Sequence, residues 1–401
     1  MSEFQRVRGF HDLLGEEAKR FRYLTNLIRE KLRLYNFEEI ILPVVEYLEV
    51  FQRSIGEATD IVQKEMFSFQ DRKGRWLALR PEGTAGAVRA YIQNKLYSKP
   101  YAKLFYEGPM LRYERPQAGR YRQFHQIGAE VFGVLDPMVD AEVIQLVYEI
   151  LSELKVEAVI EINSIGCEVC RPAYRSALRE YLSTVEGGLC EVCLDRGDRN
   201  PLRVLDCKVP TCIEAVKEAP KMIDFLCEEC TAHYSKLKDH LRSLNIPYVE
   251  NPNLVRGLDY YTKTVFEAVA VGLTVIAGGR YDYLVEELGG PPTPAVGFAV
   301  GIERLSMLVR DVPLEDPLYM VISFGDVMDY AFMVAKLLRS EGKRVEVSYK
   351  RTGLKKQLEF ANKIGAKYAV IVGEEEKIGG FYILKDMETG EQLRIELTPT
   401  W

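Results

Sequence analysis

Arginine, carboxylate and aromatic side chains gather in a few short stretches of this sequence, at spacings that could bind and polarise an anion. In MLRYE, Arg112 and Glu114 share a parity along a strand-like run, so both are expected on one side of a sheet. In RQFHQIGAE, Phe124, Gln126, Gly128 and Glu130 share a face as well, and Arg115 and Arg120 sit near the ends of the polar RPQAG connection. Such a face is no plain apolar core: buried charge must be paired or must meet a ligand. The alternative is the solvated face of an antiparallel sheet. VRGLDYYT adds Arg256, Asp259, Tyr260 and Tyr261, with Gly257 free to take an unusual turn. GGRYD adds Arg280, Tyr281 and Asp282, and GIERL puts Arg304 early in a helix. Guanidinium forks suit phosphate oxygens and stabilise charge that develops in phosphoryl or nucleotidyl transfer. Each arginine alone is more often a surface or ion-pair residue.

A second chemistry is written in the cysteines. All eight lie between Cys167 and Cys230. Cys167/Cys170, Cys190/Cys193 and Cys227/Cys230 are C-x-x-C pairs, and Cys207/Cys212 form a fourth pair with wider spacing. In a reducing compartment such clustering points to metal, with zinc the expected ion and a structural role. Two four-cysteine sites would use every ligand; one site plus free thiols also fits, and spacing does not say which pairs join. The four histidines (His11, His125, His233, His240) receive no catalytic role. His125 has the opposite parity to Gln126, and His233 or His240 could join a metal site.

These residues need elements to hold them. Residues 16–35 carry Phe21, Leu24, Ile28 and Leu32 at helical spacing. FEEIILPVVE reads as a short strand bent or ended at Pro43, and MFSFQDRKGRWLALR as a hairpin around 71–74. A helix over 83–95, strands at 103–114 and 120–133 and an apolar helix over 138–155 follow. Residues 166–250 are helical and cysteine-bearing. Strand character returns at 264–276 with an expected turn at 278–279, then a strand, a glycine break and a helix. Beyond Asp316 and Pro317, strands and helices alternate, which argues a small α/β unit with a mainly parallel sheet. The expectation is an α+β domain on a mixed, mostly antiparallel sheet with a helical insertion, plus a small C-terminal α/β domain. Its divisions fall at 1–165, 166–250, 251–316 and 317–401.

Composition bounds the rest. The 401 residues are 47% hydrophobic and 28% charged, with a net charge of −6, ordinary for a globular protein of two or three domains. A polyanion partner would need a local basic surface, and Lys343, Arg344, Lys350, Arg351, Lys355 and Lys356 supply one. No run approaches a membrane span, and MSEFQRVRGFHDLLGEE lacks the apolar core of a secretory leader, so a cytoplasmic location without membrane contact is expected.

Five stretches in order, LRPEGTA (79–85), MLRYERPQAGRYRQFHQIGAEVFG (110–133), LVRGLDYYTKTVFE (254–267), GGRYD (278–282) and AVGFAVGIERL (295–305), resemble the histidyl-tRNA synthetases, a class II aminoacyl-tRNA synthetase family. VRGLDYYT is the most diagnostic. NPLRVLDCK (200–208) also fits, whereas the C-x-x-C pairs are not part of the family's general pattern. The resemblance implies that histidine and ATP, with Mg²⁺, give histidyl-adenylate and pyrophosphate, and that histidine then passes to the 3′ end of tRNA(His). It implies Arg112 and Arg256 on the α-phosphate, Glu114 and Phe124 on adenine, and Arg120 and Arg304 on the outer phosphates. Around histidine it implies Glu82, Thr84 and Gln126 at the amino group, Glu130 and Tyr261 at the imidazole, and Tyr260 nearby. It further implies an anticodon-binding role for 317–401 and a C2 homodimer built around the Pro43 region. Two other readings stand beside it: a catalytically inactive histidine-sensing regulatory subunit of histidine biosynthesis, and a zinc-dependent RNA-binding module. The regulator typically lacks the anticodon domain and has eroded ATP motifs; the RNA module leaves the convergent arginines unexplained.

Overall fold

In the computed structural model, which describes residues 4–56, 59, 61–117, 119–312, 316–349 and 352–397, the chain divides into two compact units, Met1–Val312 and Pro313–Trp401. The apolar stripe of the first helix, α1 (Glu16–Leu34), buries Phe21, Leu24, Ile28 and Leu32. Pro43 separates β1 (Glu38–Glu39) from β2 (Val45–Tyr47), and the two strands join different sheets. After α2 (Leu48–Ile55), the hairpin strands β3 (Ser68–Gln70) and β4 (Trp76–Leu79) pair antiparallel with β2 on the other side of β4. Asp71 closes that hairpin by accepting the amides of Lys73 and Arg75. Next come α3 (Thr84–Gln93), β5 (Ala102–Leu111), β6 (Gln123–Phe132), α4 (Met138–Glu153) and β7 (Val159–Ser164).

The cysteine-bearing stretch holds α5 (Arg171–Thr184), α6 (Glu191–Arg199), α7 (Pro210–Ala215) and α8 (Glu228–Ser243), and ends in the short strand β8 (Val249–Glu250) beside β7. The chain then forms β9 (Thr262–Ala270), β10 (Leu273–Arg280), α9 (Leu284–Glu287), β11 (Ala295–Gly301) and α10 (Ile302–Ser306). Among the described residues, eight strands make the main sheet in the order β1-β5-β6-β11-β10-β9-β7-β8. Its outermost pairs are parallel and the interior pairs antiparallel. One face packs Ile127, Ala129, Val131, Val296, Phe298 and Val300 against α1 and α4, burying the largest apolar cluster. The opposite face carries Gln126, Gly128 and Glu130, across from Gly301, Ala299 and Gly297 of β11. Small residues there leave room above the sheet.

Two sequence expectations change. The turn expected at 278–279 lies at Val271 and Gly272, which have φ of 49° and 74°. Gly278 and Gly279 are inside β10. They are glycine for want of space: a Cβ on Gly278 would come within 2.2 Å of the Gly297 carbonyl oxygen, and one on Gly279 within 2.6 Å of the Thr264 carbonyl oxygen. The strand expected over 103–114 also stops early, at Leu111, so Arg112 and Glu114 follow the strand instead of standing on it.

The second unit opens with β12 (Leu318–Ser323), α11 (Met328–Ser340), β13 (Arg344–Val347), α12 (Leu354–Lys363) and β14 (Tyr368–Val372). It closes with α13 (Glu374–Gly379) and the antiparallel pair β15 (Phe381–Asp386) and β16 (Gln392–Glu396). β13, β12 and β14 are mutually parallel, as the alternation requires. Of the basic residues named above, Lys343, Arg344, Lys355 and Lys356 are exposed, and Lys350 and Arg351 lie outside the described residues. No helix among the described residues is long and apolar enough to cross a membrane.

Candidate active site

A cleft of about 360 Å³ opens over the small-residue face of the main sheet, and Arg112, Arg256 and Arg304 all line it. They come from three separate stretches. Arg112, just past β5, donates through Nε to the Pro81 carbonyl at 2.8 Å, and its guanidinium lies 5.3 Å from the centre of the Phe124 ring. Arg304, in α10, donates to the carbonyls of Gly119 (3.2 Å) and Thr274 (3.0 Å). Arg256 pairs with Glu267 across the cleft floor, and its Nε is buried with no protein partner. Glu114 lies 3.8 Å from Arg112 and 3.5 Å from Arg120, so it bridges two cations at the outer end.

The inner end is built around Glu130, 1% exposed. One carboxylate oxygen accepts from the hydroxyls of Thr84 at 2.8 Å and Tyr106 at 3.1 Å; the other accepts from Tyr281. Burial dominates these contacts and pushes the Glu130 carboxyl up to about 8. Glu82, also buried, accepts the amides of Thr84 (2.6 Å) and Ala85 (2.9 Å) at the start of α3. Burial raises its carboxyl too, against the pull of those amides. Gln126 presents a buried side-chain oxygen with no protein partner, and Tyr260 and Tyr261 line the same end with ring centres 4.7 Å apart. Two orphaned polar atoms, Gln126 Oε1 and Arg256 Nε, in one cleft mark where a ligand would complete the hydrogen bonding.

Every non-cysteine residue singled out at the sequence level for histidine or ATP lines this cleft: Glu82, Thr84, Arg112, Glu114, Arg120, Phe124, Gln126, Glu130, Arg256, Tyr260, Tyr261 and Arg304. Arg280 and Asp259 do not join them. Arg280 is fully buried on the carboxylates of Asp140 and Asp282, and Asp259 turns to Asn200 at 2.9 Å. Tyr106, Glu267 and Glu303 are cleft residues that the sequence reading did not name. Tyr106 had no local signal; its ring occupies the space where Gly83 and Gly128 lack a Cβ, which would approach within 2.0 and 2.2 Å. Glu303 holds the backbone amide and ring of His125, each at 2.9 Å, which keeps that histidine off the cleft.

The cysteines resolve into two four-thiol clusters, Cys167, Cys170, Cys227 and Cys230, and Cys190, Cys193, Cys207 and Cys212. In the first, the sulfurs of Cys167 lie 3.6 Å from Cys170 and 3.9 Å from Cys227, too far for a disulfide. Those separations match the ~3.8 Å edge of a tetrahedron with metal–sulfur bonds of ~2.3 Å. Backbone amides are aimed at sulfurs in both clusters, Cys227 to Cys170 and Cys190 to Cys212 at 3.1 Å each. An all-sulfur tetrahedral donor set fits zinc. His233 stays out of both clusters; it pairs with Asp140 at 2.8 Å and Thr264 at 3.2 Å.

The family described as Histidyl-tRNA synthetase matches residues 9–305, and the one described as Anticodon binding domain matches residues 318–400. The chain is 67% identical over 398 residues to a histidine–tRNA ligase of Aquifex aeolicus (strain VF5), covering 98% of this chain and 99% of that one. It is 47% identical over 401 residues to the histidine–tRNA ligase of Clostridium botulinum (strain Loch Maree / Type A3), covering 98% and 97%. Its fold is similar to that of apo Staphylococcus aureus histidyl-tRNA synthetase, with a TM-score of 0.80, 36% identity and coverage of 98% and 97%. A Bacillus halodurans protein described as an ATP phosphoribosyltransferase regulatory subunit/histidyl-tRNA synthetase shares the fold at 23% identity, a TM-score of 0.69 and coverage of 93% and 99%.

Proposed function

The chain belongs to the histidyl-tRNA synthetase family, and from that premise we propose how its residues divide the work. It is a histidine–tRNA ligase that uses ATP and carries a class II catalytic domain and an anticodon-binding domain. Histidine lies at the inner end of the cleft, with Glu130 and Tyr261 on the imidazole and Glu82, Thr84 and Gln126 around the amino group. Tyr260 backs Tyr261. ATP lies at the outer end, with adenine stacked on Phe124, Glu114 on its amino group, and Arg120 and Arg304 on the outer phosphates. The histidine carboxylate attacks the α-phosphorus, and pyrophosphate leaves. Arg112 and Arg256 hold the α-phosphate oxygens from two sides as charge builds there. No general base is needed, because the attacking carboxylate is ionised at neutral pH. Mg²⁺ arriving on ATP would neutralise the leaving pyrophosphate. The 3′-terminal adenosine of tRNA(His) then accepts the histidyl group.

The observation that carries this reading is the convergence of Arg112, Arg256 and Arg304 on one cleft whose inner wall holds a buried carboxylate ringed by hydroxyls. Its test is exchange of pyrophosphate into ATP with each amino acid in turn. Exchange with histidine alone is expected, and Arg256→Ala should lower it by roughly 10² to 10³. Histidine binding without exchange would favour the regulator.

Two structural zinc ions, one per four-cysteine cluster, accompany this proposal, and closed all-thiolate sites leave no position for catalysis. Metal analysis of the purified protein should give two zinc per chain; a count near zero would refute them. A C2 homodimer rests on the resemblance of the Pro43 region to the class II dimer motif, and on Ile41, Val45, Phe69 and Trp76, which stand exposed around the small sheet. The unpaired cysteines suit a reducing cytoplasm.

A further inference from the structure

The loop 256–261 carries Arg256 and Tyr261 into the cleft, yet much of what fastens it comes from the cysteine-bearing insertion. Arg203 donates to the Gly257 carbonyl, Asn200 donates to Asp259 at 2.9 Å, and Arg171 donates to the Tyr261 carbonyl. Arg203 also lies 3.2 Å from where a Cβ on Gly257 would stand, so any larger residue there would push against the guanidinium. Each tether directly follows a cluster cysteine or lies in a segment bounded by two of them. Arg171 directly follows Cys170, and its amide donates to the Cys167 carbonyl at 3.1 Å. Asn200 and Arg203 occupy the crest of the segment between Cys193 and Cys207, where the Arg203 amide bonds the Asn200 carbonyl at 3.0 Å and the Cys207 amide bonds the Val204 carbonyl at 3.2 Å. Closing that segment through a shared metal removes the chain freedom that would otherwise let its crest drift.

We propose that Arg171, Asn200 and Arg203 are positioning residues for adenylate formation. Metal bound at the two clusters holds them on the 256–261 loop, so that metal loading sets how well the loop is ordered and how tightly histidine binds. This rests on the ligase reading for its link to histidine; the ordering of the loop does not. A structural zinc whose only task was to stabilise the insertion would leave the loop unaffected.

The test compares wild type, Arg203→Ala, Arg203→Lys, Asn200→Ala and the double variant Cys190→Ser/Cys193→Ser, each as the full chain. Hydrogen exchange of the amides at 255–262 without substrates reads loop order. Pyrophosphate exchange reads the histidine and ATP KM values and kcat, and metal analysis reads zinc. Arg203→Ala should keep its zinc, speed exchange across 255–262 and raise the histidine KM about tenfold, with the ATP KM within about twofold. Arg203→Lys, which keeps a donor for the Gly257 carbonyl, should recover part of the loss. The cysteine variant should lose one zinc and show the same loop exchange. Unchanged loop exchange and an unchanged histidine KM in Arg203→Ala would overturn the proposal, even if the cysteine variant failed to fold. Loss of histidine-dependent exchange in the wild type would refute the ligase reading and leave the loop measurement to decide the clamp by itself.

Discussion

At the scale of single residues, Glu130 is the most informative group. Its carboxyl sits near 8 because burial outweighs the three hydroxyls on it. The folded state therefore holds a proton that the unfolded chain has released at neutral pH. Stability from this proton is fully present below the ordinary carboxyl range of about 4.3 and is lost as pH rises through about 8. Glu130→Gln should thus gain on the wild type in melting temperature between pH 5 and pH 8.5, while histidine-dependent exchange falls by at least about 100-fold. Glu82, raised in the same direction, keeps a residual pH slope in the variant. Equal melting curves across that pH range would refute the assignment. Glu130 and Gln126 could be picked out of the sequence because alternation places polar side chains at one parity amid an apolar run; Arg112 stands one residue past its strand, where parity assigns no face. Tyr106 could not, since the cavity that receives it is made by Gly83 and Gly128 on other elements. Arg280 misled for a similar reason: its partner Asp140 lies 140 positions away, on a helix that reads as plainly apolar.

At the scale of elements, the cleft depends on strands that approach more closely than side chains allow. Gly279 in β10 shows this best. A Cβ there would press 2.6 Å from the Thr264 carbonyl oxygen and 2.9 Å from the Tyr261 ring. Gly279→Ala should cost about 1–3 kcal/mol of stability and raise the histidine KM, because β9 and Tyr261 must both give way. A melting curve and a histidine titration measure the two effects, and no change in either would contradict the packing argument. The sequence alone suggests a turn at that glycine pair, since glycine marks turns and close contacts alike. Only the register of β9 and β11 on β10 tells them apart. The cysteines divide in the same way. Spacing gives the pairs, but which pairs share a site depends on how α5, α6 and α8 pack.

At the scale of the whole molecule, the two units are separately cored. On the proposed division of work, activation needs the first and recognition of tRNA also draws on the second, which matches the anticodon-binding family over 318–400. A chain truncated after 316 should sediment as a dimer, keep histidine-dependent pyrophosphate exchange within about threefold, and lose about 100-fold or more in charging of tRNA(His). A truncated monomer would remove the small exposed sheet from the proposed interface, and lost exchange would show that the second unit supports the cleft. The strand–helix alternation that marks the second unit is explicit in the sequence. The first unit's sheet order is not, because β1 and β5, or β7 and β9, meet across long intervening segments.

The insertion departs from the end of β7 and returns as β8, and these two strands lie side by side, Glu161 opposite Val249. The chain leaves three residues further along, after Ser164, so the two ends stand roughly 11 Å apart, about 10 Å along the strand and one strand spacing across it. Such a junction behaves as a graft point: the core sheet closes the same way whatever is spliced between its ends. Lineages could exchange metal-bearing for metal-free versions of this module without redrawing the catalytic core, provided the replacement still reaches back to the loop at 256–261. A chimaera carrying a foreign insertion at 165 and 249 should fold readily, and its catalytic success should depend on those few returning contacts more than on the rest of the transplanted segment.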